Sequence, residues 1–434
     1  MRNQVDSQER LRIVRHLLAG CSRCVAVTRH LWNLGEAVSR GGEGYAGVFA
    51  RVADRGSRGE RRARADLREA PLRLSELLAL PLPAGRARIE SEPRLQTPAV
   101  CELLIGESQR IGEKTADPDL AVSRAEWAVA AAGRLDARRY GITITRSLLG
   151  RSWACLGNAR RLAGDLRGAE TALAQAAAPL EEGSDPLEGA ELQELRARLL
   201  ADQGKLDEAE HLLDRALILY RTLGERYLQG RLLIQKGTIR GWAPGPEAAL
   251  QGIGCLQEGL ALLDPDQDQE QPLVAFGLHR LALLLADSGH AEEASRALRR
   301  ARTLYERQGD GPNLVRLRHL EGKIAEALGA SEAAEAAFLE ARQGFLTEGL
   351  GMEAAGVLFD LAIFYTRKGR SPELRPLAQD LMPILRARDV RQGVAAALLF
   401  FRRLVETEHA TLEVLSEVSR YVAGPPRARR PALR

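Results

Sequence analysis

Aromatic residues are scarce: Phe, Trp and Tyr make up only 4% of the 434 residues. Strands draw on aromatic and β-branched side chains, so a sheet-rich fold has little to build with, whereas the abundant Ala, Leu and Arg favour helix. Lysine is nearly missing as well. Of 62 basic residues only Lys114, Lys205, Lys236, Lys323 and Lys368 are lysines. Arginine in such excess suits carboxylate or phosphate recognition, but a codon-biased genome gives the same result and is the preferred reading. No run of 18 apolar residues occurs, and the first twenty residues hold no uninterrupted apolar core. Neither a membrane-spanning helix nor a secretory leader is therefore expected. Five cysteines, an odd number, point to a reducing, cytoplasmic setting. Three of them, Cys101, Cys155 and Cys255, stand alone in apolar helical context and are expected to be buried thiols.

What is present is the composition of a soluble folded chain, 45% hydrophobic and 28% charged. Its length exceeds what one compact core accommodates, so a repeat array or several domains is expected. The net charge of +4 is unevenly spread: residues 1–100 carry +7 and the remainder −3.

From Asp119 onward the chain keeps a phase. Alanines recur at Ala169, Ala209, Ala249, Ala294 and Ala334, with Leu374 in that place last, in steps of 40, 40, 45, 40 and 40. Gly204, Gly289, Gly329 and Gly369 stand five residues before four of these anchors, where a chain turning between two helices needs φ > 0. Leu213, Ile253, Leu298 and Phe338 follow four residues after an anchor, one helical turn further along the same face. The pattern predicts paired helices repeated every 40 residues. In residues 151–176, Trp153, Leu156, Gly157, Ala169, Leu173 and Ala176 fall at the spacing W-x2-L-G-x11-A-x3-L-x2-A, which resembles a tetratricopeptide repeat (TPR). The usual unit has 34 residues. The longer units here, with LYRTLGER (219–226), LYERQGDG (304–311) and GFLTEGLG (344–351), look like those of bacterial regulatory proteins that sense peptides or partner domains. That resemblance implies an all-α, right-handed α-solenoid over residues 119–423, with helices after Leu381 capping its open end.

Ahead of the array, residues 65–118 hold Pro71, Pro81, Pro83, Pro93 and Pro98 and read as an irregular helical lead-in. Residues 36–64 are rich in Gly and Arg and read as a flexible linker, and 424–434 as a disordered basic tail. Six arginines between Arg51 and Arg64 lack an aromatic platform or a DNA-reading helix, which argues against nucleic acid as partner. Residues 1–35 are expected to form a small helical module containing His16, Cys21 and Cys24. A Cys-x2-Cys turn beside a helical His offers three ligands to Zn2+. The segment is similar to the zinc-binding fold of bacterial anti-sigma factors, but with four residues instead of three between His and Cys, and with no upstream ligand. Two free thiols in a helical hairpin, redox-active or inert, are the competing reading.

Two other motifs fail on inspection. Residues 106–115 place Glu113 between glycine and lysine, which is wrong for a phosphate loop. Asp264, Asp266 and Asp268 alternate as in a calcium loop, but Gln269 and Ala275 stand where Gly and Glu are required. No catalytic constellation is found, so no enzymatic activity is expected. In a solenoid the first helix of each pair lines the concave side. Repeat positions there assign partner contacts to Arg151, Asn158, Arg161, Glu194, Arg198, Arg231, His279, Arg316, His319 and Lys323. The set is mostly cationic and suits an acidic helix, an extended peptide or a C-terminal carboxylate. The sequence thus predicts a non-enzymatic scaffold binding a protein or peptide, or alternatively a zinc- or redox-responsive signalling or transcription regulator built on His16, Cys21 and Cys24.

Overall fold

The computed structural model describes residues 65–114, 117–183, 185–387, 390 and 392–423. The expected module at 1–35 with His16, Cys21 and Cys24, the linker at 36–64 and the tail at 424–434 lie outside the described residues. All regular structure among the described residues is helical, without a strand. These residues fall into two compact units, divided between Leu192 and Gln193.

The first unit opens with α1 (65–78), α2 (Leu82–Ser91), α3 (Pro98–Lys114) and α4 (Pro118–Ala132). Prolines stand at or just before the starts of α2, α3 and α4, where the missing N–H would have had no intrahelical acceptor. Trp127 on α4 is buried, with the Arg124 guanidinium 4.1 Å above its ring, and a side chain at Gly85 would collide with it. After the single turn α5 (Ala137–Tyr140), the long pair α6 (Ile142–Leu162) and α7 (Leu166–Gly183) packs closely, and α8 (Pro186–Asp202) crosses the division between units.

The second unit continues the pairing with α9 (Leu206–Thr222), α10 (Arg226–Arg240), α11 (Pro246–Ala261), α12 (Gln271–Asp287), α13 (Ala291–Gln308), α14 (Gly311–Ala327), α15 (Ser331–Thr347) and α16 (Gly351–Arg367). Within it the hairpins are α10 with α11, α12 with α13 and α14 with α15. The short α17 (Leu374–Gln379) and α18 (Met382–Leu385) lead to α19 (Gln392–Glu406) and α20 (Leu412–Ala423). Leu415, Val418 and Val422 of α20 join the core built on Val357, Leu358 and Leu361 of α16.

The helices pair because small residues meet at one recurring level. Ala169, Ala209, Ala294 and Ala334 are wholly buried, and Ala249, half-buried, keeps the register through Gly252, Ile253 and Leu256. Twelve residues before each anchor stands Gly157, Ala197, Gly237, Ala282, Gly322 or Ala362, and every one is buried. At Gly237 an added methyl would lie 2.7 Å from the Gly252 carbonyl oxygen, so the two backbones touch. Such approach excludes water from both helices and removes apolar surface at roughly 25 cal/mol per Å2.

The turn glycines adopt the left-handed conformation expected of them: φ is +78° at Gly204, +82° at Gly289, +79° at Gly329 and +68° at Gly369, with Gly164 at +82° doing the same in the first unit. A side chain at Gly204 would meet nothing within 4 Å, so its cost is conformational alone. Gly204→Ala is expected to lower the unfolding free energy by about 1 kcal/mol, read from urea titration by circular dichroism. In the unit with the longer step, Gly245 at φ +103° takes over the turn, and Trp242 beside it remains 41% exposed.

Candidate partner-binding surface of the first helices

In the first unit, Arg151 on α6 forms an ion pair with Glu102, Nη2 donating to Oε2 at 2.8 Å, and its Nε lies 3.9 Å from Glu188. Asn158 Oδ1 accepts from Nε and Nη2 of Arg161, both at 3.1 Å. Cys155 donates to the Ile105 carbonyl at 3.8 Å, and burial pushes its thiol up to about 11; Cys101 is buried with its thiol raised further. Thiols so desolvated are poor nucleophiles.

The second unit carries the remaining seven predicted positions, and most of them engage a neighbouring first helix. Glu194 on α8 is 2% exposed and accepts on one oxygen from the Tyr220 hydroxyl at 2.6 Å and from Arg231 Nη2 at 2.7 Å. Arg198 donates from Nε to Gln235 Oε1 at 3.0 Å, and Gln235 Nε2 donates to the Glu194 carbonyl at 3.3 Å. Arg316 on α14 reaches Glu353 on α16 at 2.7 Å, and His319 Nε2 lies 2.7 Å from Asp360 Oδ2. Lys323 donates to Asp287 on α12 at 2.8 Å. Burial disfavours the Asp360 carboxylate, but the hydrogen bond and charge of His319, with Lys323 and Arg367, hold it below the usual carboxylate range.

These contacts form a ladder. Partners are separated by 37 residues in Arg231–Glu194, Arg198–Gln235 and Arg316–Glu353, by 41 in His319–Asp360 and by 36 in Lys323–Asp287. Each separation lies within about one helical turn of a whole repeat, so each cation meets an acid or amide on the adjacent first helix. The acids Glu353, Asp360 and Asp287 escaped the reading of the sequence, which followed cations at fixed repeat positions. Opposite charges at these separations are the signal that would have found them. The surface that looked mostly cationic is largely charge-matched.

His279 departs from the ladder. It has no hydrogen-bond partner among the described contacts and meets Tyr305 edge-on, ring centroids 6.2 Å apart. Burial, then the charges of Arg280, Arg316 and His319, push its imidazole down to about 3. His279 and His319 occupy equivalent positions one unit apart but do not combine, and among the described residues no group of His, Cys, Asp and Glu is placed to hold a metal. Near His279 in the chain, Phe276 is 44% exposed, and the buried Nε of Arg280 has no hydrogen-bond partner among the described residues. Neither was singled out from the sequence.

No protein-family model matches the chain, and no curated protein matches it in sequence. Among solved structures it is similar to a Rap protein complexed with competence and sporulation factor, at 13% identity, with 73% of this chain and 85% of that chain covered and a TM-score of 0.51. At that identity the likeness is one of fold. With the all-helical architecture and the 40-residue phase, it makes the chain a TPR-like helical-repeat protein. No described helix is long and apolar enough to cross a membrane.

Proposed function

We propose that the chain is a non-enzymatic, cytoplasmic repeat scaffold that binds a protein or peptide partner of acidic character on the first helices of residues 193–434. One observation carries this reading. Along α12, α14 and α16, half-exposed polar pairs join residues about one repeat apart, and α12 presents an exposed aromatic, Phe276, in the place that Arg231 and Arg316 take in other units. Half-exposed ion pairs are worth little to the fold and are readily exchanged for contacts with a ligand. An exposed aromatic on one of these helices supplies the apolar anchor that binding surfaces use. The Rap protein of similar fold was solved with a bound factor, which supports a binding role for this fold.

The test is site-specific photocrosslinking of the full chain in cells. A benzophenone amino acid replacing Phe276 is expected to give discrete protein adducts, and the same probe replacing Leu250, exposed on α11, is expected to give none. Identical adduct patterns from both sites would remove the proposal. The regulatory variant rests on the sequence motif His16, Cys21 and Cys24, with Zn2+ as the cofactor, and metal analysis of the purified full-length protein tests it.

A further inference from the structure

The second helix α13 carries Arg296, Arg299, Arg300, Arg302 and Arg307 within 18 residues, and they divide into two groups. Arg302 turns to α14, where Glu321 accepts from it. The other four are exposed, and among the described residues none of their side chains has an ion pair or hydrogen bond. At about 100° per residue, these four and the exposed Thr303 fall in an arc roughly 100° wide and about 16 Å long.

Cations so placed work against the helix that holds them. Arg296 stands three residues before Arg299 and four before Arg300, the spacings at which like charges face each other and destabilise a helix. Arg307 in the last turn suits the helix dipole, as Glu292 and Glu293 do in the first, but the arginines between have no such role. Nor does the arginine-rich composition account for them. The four stand two, five, six and thirteen residues after the anchor Ala294. In the repeats of α7, α9, α11 and α15 the same places hold a single arginine, Arg215. The rest are apolar, neutral or acidic, as at Asp214, Cys255, Leu339 and Glu340. A general excess of arginine would spread over equivalent places, and here it gathers on one helix.

We infer that this stripe is a docking face for a short acidic segment of a partner protein, separate from the first-helix surface proposed above. Its ends select the occupant. Glu292 and Glu293 close it on one side, and Glu306 and Asp310 lie at the other. A segment of about three helical turns covers the arginines and stops short of these acids. A nucleic acid or a membrane surface runs on past them and meets like charge. The arc also offers no aromatic on which a base could stack, since Tyr305 is buried, and no apolar side chain to enter a bilayer. Arginine forks suit carboxylates, which they grip with two parallel hydrogen bonds.

The experiment uses the full chain and fluorescence anisotropy. The probe is a dye-labelled, end-blocked helical peptide of alanine and glutamine with a glutamate at every third or fourth position. It is expected to bind about 10- to 100-fold more tightly than its all-glutamine counterpart and to weaken as salt rises. Replacing Arg296, Arg299, Arg300 and Arg307 by Gln together should erase the preference. Replacing Arg167, Arg215, Arg375 and Arg403 by Gln, exposed arginines likewise without a side-chain partner, removes the same charge and should leave it intact. The α13 variant should melt no lower than wild type, because the stripe serves no internal contact. No preference for the acidic peptide, equal loss in both variants, persistence in the α13 variant or a lowered melting temperature there each overturns the docking face. Duplex DNA or phosphatidylserine vesicles binding more tightly than the peptide through the same arginines overturns the acidic segment as occupant. So does self-association of the chain that the α13 variant abolishes.

Discussion

Phe338→Ala is expected to lower the unfolding free energy by about 3–5 kcal/mol, the range for emptying a fully buried aromatic site. Phe338 on α15 is wholly buried, four residues after its anchor. Its ring lies over Gly322 of α14, where an added methyl would come within 2.6 Å of Cδ1 and Cε1. It also meets Phe364 edge-on at 6.1 Å and His319 at 5.9 Å. The ring therefore ties the α14–α15 hairpin to α16. Collapse cannot refill the space, because the floor is Gly322 backbone. The converse change, Gly322→Ala, pushes a methyl into the same ring and is expected to cost about 1–3 kcal/mol despite the better helix propensity of alanine. Combining Gly322→Ala with Phe338→Leu should cost less than the two changes added together, since the smaller side chain makes room for the methyl. In a repeat array coupling runs between neighbours, so the loss should also broaden the urea transition. A cost below about 1 kcal/mol for Phe338→Ala, or strict additivity in the pair, would show that α15 does not pack on Gly322.

The residues that set this packing were visible in the sequence because they obey a rule of spacing. An alanine every 40 residues, a glycine five before it and a large apolar residue four after it describe two helices and the turn between them. Their positive φ values at Gly204, Gly289, Gly329 and Gly369 follow from the same geometry. The acidic loop at 264–270 was equally readable as a loop. There Asp264 caps its own turn by accepting from the Asp266 amide, and Glu270 accepts from the Asp264 amide. The electrostatics of the first helices were not readable in this way. Whether Arg316 is available to a ligand depends on Glu353, 37 residues away, and whether His319 is available depends on Asp360, 41 residues away. Repeat position fixes the face on which a residue lies. It leaves open the partner that the neighbouring unit presents, because each unit varies at its surface while keeping its small buried residues.

His279 gives the chain an acid-sensitive point, and its sign is fixed by the environment. Burial acts first, followed by the charges of Arg280, Arg316 and His319, and together they push the imidazole from an ordinary 6.5 down to about 3. The unfolded chain therefore binds a proton between these values that the folded chain refuses. Stability from this group is intact above pH 6.5 and is lost as the pH falls toward 3. Between pH 7 and pH 5 the loss should be about 2 kcal/mol. The Asp360 and Glu335 carboxylates are held below the usual range, the first against its burial by His319, Lys323 and Arg367, the second chiefly by Arg370. Their contributions are present above the ordinary carboxylate value and fall away only below it, so the window from pH 7 to pH 5 isolates the histidine. His279→Leu keeps an apolar side chain against Tyr305 and removes the titrating group. Urea unfolding at pH 7, 6 and 5 is expected to show the wild-type chain losing about 2 kcal/mol more than this variant across the series. Parallel pH profiles would mean that water reaches the imidazole and that α12 does not enclose it.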